Sequence, residues 1–390
     1  MIFNETIDRR NTNSLKWDNP DLKYNPENLI PLWVADMDFR APESVLKTLA
    51  ERIEHGVVGY TFPPDGYYRS IVNWMGKRHQ WNIKKEWILP VPGVVPSINI
   101  AIQAFTKEGE GVLIQRPVYG PFTGAVINNG RKLVNSPLEL RDNRYVINIV
   151  DFEKKIVDNN VRMFIFCSPH NPGGRVWTVE ELKAVGDICI KHNVLIVADE
   201  IHQDLVFKKY KHTPIASLGY EYSNICITCT SPNKTFNIAG LQNANLIIEN
   251  TDIYNKFSNH IKKLALNEIN LFGIIACESA YKTGEDWLVQ VLDYIEENKK
   301  FVINFFSHKI PDVRIMDNEG TYLLWMDFRS LVFPGNSLSS LILQKANVRL
   351  SDGFGFGEEG KGFLRMNIAC PRSTLEEALN RIKIAIDSLL

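Results

Sequence analysis

One lysine in the middle of the chain occupies a position where lysines are uncommon. Lys234 lies in segment 231–241, SPNKTFNIAGL, directly after the β-branched run 225–230. Burial at the end of a strand desolvates an ammonium group, which lowers its pKa and makes the amine nucleophilic. Such an amine forms a Schiff base with a carbonyl compound. The alternative is a solvated lysine in a turn, so the interpretation depends on the groups that accompany Lys234.

Two of those groups follow the next strand upstream. Ligands bind at the carboxyl ends of the strands in a doubly wound sheet, so polar residues there are candidate site residues. Asp199 follows the apolar run 194–198, and its buried carboxylate needs a cationic partner. That partner is either a protonated heteroaromatic nitrogen or an arginine. His202 is either part of the same site or a hydrogen-bonded core histidine.

Three further loops offer a ring, an amide and a helix start. Tyr119 lies between fixed turns and can present its ring to a planar ligand, with a core aromatic role as the alternative. Asn171 is held by prolines and glycines, which also make ordinary turns. In segment 92–97, Gly93 and Pro96 suit a helix start whose free amides bind phosphate, although an ordinary turn has the same pattern. Together with the amine and the carboxylate, these groups describe a site for pyridoxal phosphate.

The elements that must position these groups follow an alternating pattern. Short β-branched runs alternate with helical periods, which is typical of a mainly parallel sheet covered by helices. The predicted strands are 111–115, 161–167, 194–198, 225–230 and 244–249. The predicted helices are 41–55, 120–129 and 178–192, and the last is opened by a capping box of Thr178 and Glu181.

The pattern changes after about residue 286. A long helix, a strand at 322–327 and a closing amphipathic helix at 373–389 indicate a second, α+β domain. We therefore expect a large cofactor-binding domain (46–285) and a C-terminal small domain (286–390). The first 45 residues lack a core of their own, and we expect this N-terminal arm (1–45) to pack with the small domain.

Composition excludes several classes of partner. The 390 residues carry a net charge of −1, with Lys and Arg dispersed along the chain. This pattern does not indicate nucleic acid or a membrane as a partner. We expect no secretory signal in residues 1–10 and no membrane span. The six cysteines lie in apolar segments, and Cys226 and Cys229 lack a second pair or a nearby histidine, so we expect no metal site and a reducing cytoplasm.

At this point the sequence can be compared with a known family. Over essentially its full length it resembles the fold-type-I pyridoxal-phosphate enzymes of the class I/II aminotransferase-like superfamily, and within them the MalY/PatB group of cystathionine (cysteine-S-conjugate) β-lyases. The segments that carry the resemblance are DRRNTNSLKWD, PLWVADMDF, GVVGYT, PGVVPSI, RPVYGPF, PHNPGGRVW, ADEIHQDL, SPNKTFNIAGLQ, EGTYLLWMDFR and FLRMNIACPR. The resemblance implies an α/β large domain with a mainly parallel seven-stranded sheet, a smaller α+β domain, pyridoxal 5'-phosphate as cofactor and a homodimer.

The resemblance also implies roles for the residues around the cofactor ring. Lys234 is the Schiff-base lysine and Asp199 pairs with the ring nitrogen. Asn171 contacts the phenolic oxygen and the substrate, and Tyr119 stacks on the ring. His202 stands where the aminotransferases often have a tyrosine, and we expect it to bind the cofactor.

Phosphate and substrate contacts are implied in the same way. The amides of Val94 and Val95 and the hydroxyl of Ser231 hold the phosphate. Tyr60 reaches the phosphate and the substrate from the neighbouring subunit, which makes the dimer part of the site. Arg365 holds the substrate α-carboxylate through its bidentate fork. Tyr60 and Tyr119 are the candidates for protonating the leaving sulfur.

Four positions depart from the family pattern. Gln242 stands where typical aminotransferases carry a phosphate-binding arginine, so phosphate binding depends more on amides and hydroxyls. Pro232 and Asn233 replace small hydroxyl residues before the lysine. Asn11 replaces a usual glycine.

The sequence therefore predicts a carbon–sulfur β-lyase that cleaves L-cystathionine or related cysteine S-conjugates to a thiol, pyruvate and ammonia. An aminotransferase using the same groups is one alternative. A cofactor-binding scaffold whose main role is to bind a regulatory protein is another.

Overall fold

The computed structural model describes residues 2–19, 28–331 and 338–388. Its helices are α1 (Glu43–Glu54), α2 (Asp65–His79), α3 (Val94–Phe105), α4 (Pro121–Asn128), α5 (Ile149–Asp158), α6 (Val179–Lys191), α7 (Tyr220–Ser223), α8 (Pro232–Thr235), α9 (Thr251–Lys263), α10 (Leu271–Thr283), α11 (Glu285–Lys309), α12 (Leu338–Ala346) and α13 (Arg372–Asp387). Its strands are β1 (Ile30–Pro31), β2 (Ile88–Val91), β3 (Gly111–Ile114), β4 (Lys132–Asn135), β5 (Glu139–Arg141), β6 (Arg144–Val146), β7 (Val161–Cys167), β8 (Leu195–Asp199), β9 (Cys226–Thr230), β10 (Ala244–Ile247), β11 (Arg314–Ile315), β12 (Leu323–Asp327), β13 (Val348–Arg349), β14 (Ser351–Asp352) and β15 (Phe363–Asn367).

A seven-stranded sheet forms the centre of the molecule. Its strand order is β2-β10-β9-β8-β7-β3-β4, and β10 runs antiparallel to both of its neighbours while the other pairs are parallel. The register pairs Cys167 with Asp199 and Asp199 with Cys229. The carboxyl ends of β7, β8 and β9 therefore lie side by side, and the predicted mainly parallel seven-stranded sheet is confirmed.

Both faces of this sheet are covered by apolar packing. On β7, Phe164 and Phe166 belong to one buried cluster, and Met163 and Ile165 belong to a second cluster on the other face. All four side chains are almost inaccessible to solvent. Burial on both faces explains why these strands read as continuous apolar runs and not as alternating ones.

The predicted elements lie within about two residues of the observed ones. The capping box at the start of α6 has both of its hydrogen bonds, from Glu181 N–H to the Thr178 hydroxyl and from Thr178 N–H to the Glu181 carboxylate. The predicted closing helix 373–389 is observed as α13, and residue 389 is outside the described residues. Helices α2, α5, α9, α10 and α12 were not predicted, although Asn148, Asn250 and Asn270 cap the starts of α5, α9 and α10.

A four-stranded antiparallel sheet, β11-β12-β15-β14, follows the long helix α11. It carries Arg365 on its central strand β15, in register with Trp325 on β12 and Ser351 on β14. Trp325 is buried and stacks on Phe363 at 5.1 Å between ring centroids. This second sheet therefore fixes the position of Arg365 independently of the large sheet.

The N-terminal segment connects the two sheets. Its strand β1 pairs with β13, and Asn367 donates hydrogen bonds from Nδ2 to the Val34 and Asp36 carbonyls. Asn237, three residues after Lys234, donates to the carbonyls of Met37 and Phe39. The arm thus contacts both halves of the chain. Residues 1 and 20–27 of the expected arm lie outside the described residues, and the three-part division stays a proposal.

Candidate active site

A cavity of about 360 Å³ lies at the carboxyl ends of β7, β8 and β9. Strand β7 ends at Cys167 and β8 at Asp199, and the short helix α8 after β9 carries Lys234. The cavity is lined by Ala35, Pro92, Gly93, Val94, Val95, Pro96, Tyr119, Cys167, Asn171, Asp199, Ile201, His202, Asn233, Lys234, Ala239 and Gln242. Seven of the ten predicted site residues line this cavity. An eighth, Arg365, lies next to it, since it donates a hydrogen bond to Asn171 at the cavity wall.

Lys234 is held by a capped turn of helix. The Ser231 hydroxyl accepts a hydrogen bond from the Asn233 N–H, and Pro232 occupies the first helical position, where its missing N–H costs nothing. The Lys234 Nζ donates to the carbonyl of Ala35 at 2.5 Å. Burial lowers the pKa of Lys234 to about 8, although the nearby Asp36 carboxylate acts in the opposite direction. At pH 7 about one-tenth of the amine is therefore neutral and nucleophilic, far more than for a lysine with the ordinary pKa of 10.5.

Asp199 is 5% exposed and its Oδ1 accepts one hydrogen bond, from the Ile201 N–H at 3.2 Å. Burial raises the pKa of Asp199 to about 7, against the opposing effects of that hydrogen bond and of Lys234. Among the described residues, no cationic side chain forms an ion pair with this carboxylate. It is suited to a cationic ligand atom, since such an atom would restore its ionised form.

His202 lines the same cavity in its neutral form. Burial lowers its pKa to about 3, and the positive charges of Lys234 and Arg365 add to this effect. Its ring packs edge-to-face against Tyr322 at 6.2 Å between centroids, and its Nδ1 has no hydrogen-bond partner. The imidazole is therefore available to a ligand as a neutral donor or acceptor.

Arg365 and Asn171 join the two sheets at the cavity wall. Arg365 donates from Nη1 to the Asn171 Oδ1 at 2.9 Å, and from Nη2 to the Trp33 carbonyl at 2.8 Å and the Ser351 hydroxyl at 3.2 Å. Burial lowers the pKa of Arg365 to about 10. Within the described part of the chain no carboxylate pairs with this arginine. A buried guanidinium held only by neutral acceptors is a binding site for a ligand carboxylate.

The start of helix α3 faces the cavity with Val94 and Val95. Its N-cap residue is Gly93, and no side chain caps the helix. The first amides of a helix have no partner inside the helix, so they are free to bind an anion. Gln242 lines this region in a left-handed backbone conformation, with φ of 49°.

Tyr119 stands between this cavity and a second one of about 440 Å³, and lines both. Its ring packs edge-to-face on Phe122, with 6.0 Å between ring centroids. Burial raises the pKa of its hydroxyl, so the group is protonated at neutral pH.

Two predicted residues are placed elsewhere. The hydroxyl of Ser231 donates to the Asn243 carbonyl at 2.7 Å and caps α8, and Ser231 does not line the cavity. In this structure it caps the helix that carries Lys234, and its phosphate contact stays a prediction. Tyr60 is 98% exposed in the segment between α1 and α2, and this chain alone does not bring it to the cavity.

Three residues that the sequence reasoning missed act next to Lys234. Tyr322 donates its hydroxyl to the Ala35 carbonyl at 2.9 Å, the same atom that accepts from Lys234. Thr235 donates to Asp204 at 2.8 Å. An acid two residues after His202 and a hydroxyl beside the lysine are visible in the sequence. The hydrogen bond between Thr235 and Asp204 could not be predicted from the sequence, because the two residues are 31 positions apart.

Orphaned polar atoms indicate how well the cavity suits pyridoxal phosphate. Three buried polar atoms around it lack a hydrogen-bond partner: His202 Nδ1, Asn233 Oδ1 and Arg365 Nε. Each group at the cavity has a counterpart in the cofactor. The Lys234 amine matches the aldehyde, and the Asp199 carboxylate matches the pyridine nitrogen. The start of helix α3 matches the phosphate, and the unpartnered polar atoms match the ring hydroxyl. The residues present therefore fit the cofactor.

No helix in the described ranges is long and apolar enough to cross a membrane.

Known proteins are similar to this chain in both sequence and fold. The family model described as aminotransferase class I and II matches residues 27–382. Cystathionine beta-lyase PatB from Bacillus subtilis (strain 168) is 41% identical over 99% of this chain and 100% of that protein. Two solved structures have a TM-score of 0.96. A PLP-bound putative aminotransferase from Clostridium difficile 630 is 46% identical and covers 98% of this chain and 99% of its own. Cystalysin from Treponema denticola, which contains pyridoxal 5'-phosphate, is 39% identical and covers 100% of this chain and 99% of its own.

Proposed function

Because the chain belongs to the aminotransferase class I and II family, we propose that it is a pyridoxal-phosphate-dependent carbon–sulfur β-lyase. It cleaves L-cystathionine or a related cysteine S-conjugate to a thiol, pyruvate and ammonia. The observation that carries the proposal is one cavity lined by Lys234, an amine with a pKa of about 8, and by Asp199, which has no ion pair among the described residues, beside the buried Arg365. The names of the similar proteins, cystathionine beta-lyase and cystalysin, support the reaction.

The substrate is held first by its carboxylate. Arg365 binds the α-carboxylate, and its bond to Asn171 fixes the plane of the guanidinium. Tyr322 and the Ala35 carbonyl position the Lys234 amine. A substrate bound in this way would have its Cα–H bond near Nζ, which proton abstraction requires.

When bound, pyridoxal phosphate supplies an electrophilic carbonyl and a heterocycle that stabilises negative charge at Cα. Lys234 Nζ takes the Cα proton as general base, for which a pKa near 8 is suitable. The Cβ–S bond then breaks and its electron pair leaves with the sulfur, which a protonated group such as Tyr119 can neutralise. Asp199 would hold the cofactor's ring nitrogen, and this cationic partner would keep the carboxylate ionised. Water hydrolyses the released enamine to pyruvate and ammonia.

We also propose a homodimer in which Tyr60 of a second copy completes the site. The segment that carries Tyr60 also exposes Val57, Val58 and Phe62, each more than 60% accessible. A contiguous exposed apolar stretch of this kind is typical of a protein–protein contact. The predicted phosphate and substrate contacts of Tyr60 depend on this assembly.

A reducing cytoplasm remains our proposal for the location. It is supported by the six cysteines, which are all buried and unpaired.

The reaction is tested by product analysis of purified protein loaded with pyridoxal phosphate. Incubation with L-cystathionine should release pyruvate and a free thiol without an added keto acid. Lys234→Ala should reduce turnover by several orders of magnitude. The matched control is Lys256→Ala, a lysine on helix α9 that packs over Phe105 away from the cavity. Full turnover by the Lys234 variant would exclude the lysine as the base.

An aminotransferase is the second candidate, and the name of the Clostridium difficile structure favours it. The same lysine, aspartate and arginine serve both reactions, because a transaminase differs only in where the proton is returned. Conversion of the substrate to its own 2-oxo acid with the C–S bond intact, strictly dependent on an added keto acid and without release of thiol or pyruvate, would identify a transaminase.

A further inference from the structure

The N-terminal arm places a carboxylate beside the reactive lysine. The Ala35 carbonyl accepts hydrogen bonds from the Lys234 Nζ at 2.5 Å and from the Tyr322 hydroxyl at 2.9 Å. The next residue is Asp36, so its carboxylate is one residue from the group that holds the amine. No step of the proposed reaction uses this carboxylate.

Two cations of the same arm hold Asp36 in place. Arg9 donates from Nη1 to the Asp36 Oδ1 at 3.1 Å and from Nη2 to Oδ2 at 2.8 Å, which is a bidentate contact. The ammonium of Lys16, which is fully buried, lies 3.6 Å from the Asp36 Oδ1 and donates to the Asp36 carbonyl at 3.3 Å. The same carbonyl accepts from the Asn367 Nδ2 on strand β15. Both the side chain and the backbone of Asp36 are therefore fixed next to Ala35.

Asp36 is negatively charged at neutral pH. Burial opposes its ionisation, but the hydrogen bond from Arg9 and the charge of Lys16 hold the pKa of Asp36 below its ordinary value of 3.8. This charge acts on Lys234: burial lowers the pKa of the lysine, and Asp36 is the strongest of the charges that oppose the effect of burial. The arm therefore sets part of the base strength of Lys234.

The other ionisable groups around the amine cannot replace Asp36. Asp199 also attracts an ammonium group, but it is the residue proposed to hold the ring nitrogen of the cofactor. Arg365 repels an ammonium group. His202 is neutral because burial lowers its pKa to about 3, and burial keeps the Tyr322 hydroxyl protonated by raising its pKa. Of these groups, Asp36 is the one that remains to stabilise a positive charge on the lysine.

We propose that Asp36 stabilises the protonated form of Lys234, which arises when the amine takes the substrate Cα proton. In that step the Cα–H bond breaks, an Nζ–H bond forms and the electron pair stays with the substrate. Asp36 does not line the cavity, so it is a positioning residue that acts through Lys234. Arg9 and Lys16 act in turn through Asp36. The inference rests on the proposed function, since it adds a residue that supports the base of that reaction.

The test measures the pKa of Lys234 in the full-length, cofactor-free protein. The protein is labelled with a trace of acetic anhydride at a series of pH values, and acetylation of Lys234 is measured by mass spectrometry relative to the exposed Lys256. The wild-type reactivity should rise with a midpoint near pH 8, because burial holds the pKa of Lys234 at about 8. Asp36→Asn should move this midpoint about one unit lower, a tenfold change in the ionisation constant, because an attractive charge is lost. Asp36→Glu keeps the charge and should have a midpoint close to that of the wild type.

The direction of the shift separates this role from a structural one. Loosening of the arm would admit water to the amine and raise the midpoint toward the ordinary lysine pKa of 10.5, which is the opposite of the expected change. A midpoint that rises or stays the same in Asp36→Asn overturns the inference.

Asp38→Asn is the matched control. Asp38 binds the same two cations, accepting from the Arg9 Nη1 at 2.7 Å and from the Lys16 Nζ at 2.7 Å, but it lies three positions after Ala35. This variant disturbs the same ion cluster and should change the midpoint much less than Asp36→Asn. Equal shifts in the two asparagine variants would overturn the inference.

A second pair of variants applies if Asp36→Asn does not fold. Arg9→Gln removes a cation from the cluster and should raise the midpoint of Lys234. Arg9→Lys loses the bidentate fork and keeps the charge, so it should leave the midpoint close to that of the wild type. Equal midpoints in these two variants overturn the inference.

Failure of the proposed function gives a different result. The labelling does not depend on turnover, so a β-lyase assignment that fails in product analysis leaves the midpoint of Lys234 as the test of Asp36. If the lyase reaction is observed, the acid limb of the pH profile of kcat should shift to lower pH by about one unit in Asp36→Asn, because kcat reports the ionisation of the base in the substrate complex. An unshifted limb overturns the role of Asp36 in the reaction.

Discussion

The hydrogen bond between Thr235 and Asp204 provides a test of how the reactive lysine is held. Thr235 follows Lys234 in α8 and is fully buried, and its hydroxyl donates to Asp204 Oδ2 at 2.8 Å. The other oxygen of Asp204 accepts from Trp74 Nε1 at 3.0 Å and from His79 Nε2 at 2.8 Å. Helix α8 is a single turn, so this bond is a main tether between Lys234 and the large domain.

Replacing Thr235 by valine keeps the shape of the side chain and removes the donor. A hydrogen bond to a buried charged group contributes about 1.5–3 kcal/mol, so we expect Thr235→Val to lower the free energy of unfolding by about 2 kcal/mol. Thr235→Ser keeps the hydroxyl and loses one methyl group, and should cost about 1 kcal/mol. The valine variant should also shift the pH dependence of the cofactor absorbance, because Lys234 loses its fixed position.

Urea unfolding of the cofactor-loaded protein, at one protein concentration, measures both variants. The double variant with Asp204→Asn isolates the pairwise contribution, which should be at least about 1 kcal/mol. Burial opposes the charge of Asp204, but its hydrogen bonds and the nearby Arg78 keep its pKa below the ordinary value of 3.8. The stabilisation is therefore present at neutral pH and is lost as pH falls through that lowered pKa. Additive single effects at pH 7 would refute the tether.

Three further predictions concern the cavity. Burial holds the pKa of Lys234 at about 8 against 10.5 when unfolded, so the unfolded chain binds more protons between these values and stability rises with pH there. Lys234→Met should accordingly stabilise the cofactor-free protein by about 1–2 kcal/mol at pH 7 and less at pH 10, measured by urea unfolding; no gain at pH 7 would contradict this. Arg365→Lys should raise KM for the amino acid about 10-fold or more with a smaller change in kcat, because the fork is lost; an unchanged KM in steady-state assays would exclude the carboxylate role. Asp199→Asn should lower kcat at least about 100-fold, as expected for a lost buried charge pair, while cofactor content measured by absorbance shows whether binding survives; wild-type turnover would contradict the pairing with the ring nitrogen.

The sheet could be predicted because its strands have a simple sequence pattern. β7 and β8 are buried on both faces, so they appear as uninterrupted apolar runs that end in Cys167 and Asp199. Parallel pairing brings such ends together, which allowed residues far apart in sequence to be assigned to one site. The capping box of α6 is equally local, since both of its partners lie within one helical turn.

Other features depend on contacts that no local pattern records. The role of Arg365 rests on family resemblance, because no local pattern indicates that the second sheet brings it against Asn171. The hydroxyl of Ser231 was predicted to hold the phosphate, and the sequence did not indicate that it also bonds the backbone of Asn233 and Asn243. Asn11, where the family usually has glycine, has φ of 59°, which asparagine tolerates better than most residues.

Lys234 has unsatisfied polar groups on its cavity side and a hydrogen-bonded network around Asp204 on the other side. This difference explains how the folded chain tolerates a site that lowers its stability. On the cavity side, Asp199 has no ion pair and His202 Nδ1 no hydrogen bond within the described part of the chain, so burial of these groups costs free energy until a ligand binds. On the other side of the lysine, both carboxylate oxygens of Asp204 accept hydrogen bonds from side chains of α2 and α8. A fully hydrogen-bonded buried network is rigid, which allows the groups on the cavity side to remain unsatisfied without collapse of the cavity. It follows that weakening the network at Thr235 should damage catalysis even though this residue contacts neither cofactor nor substrate.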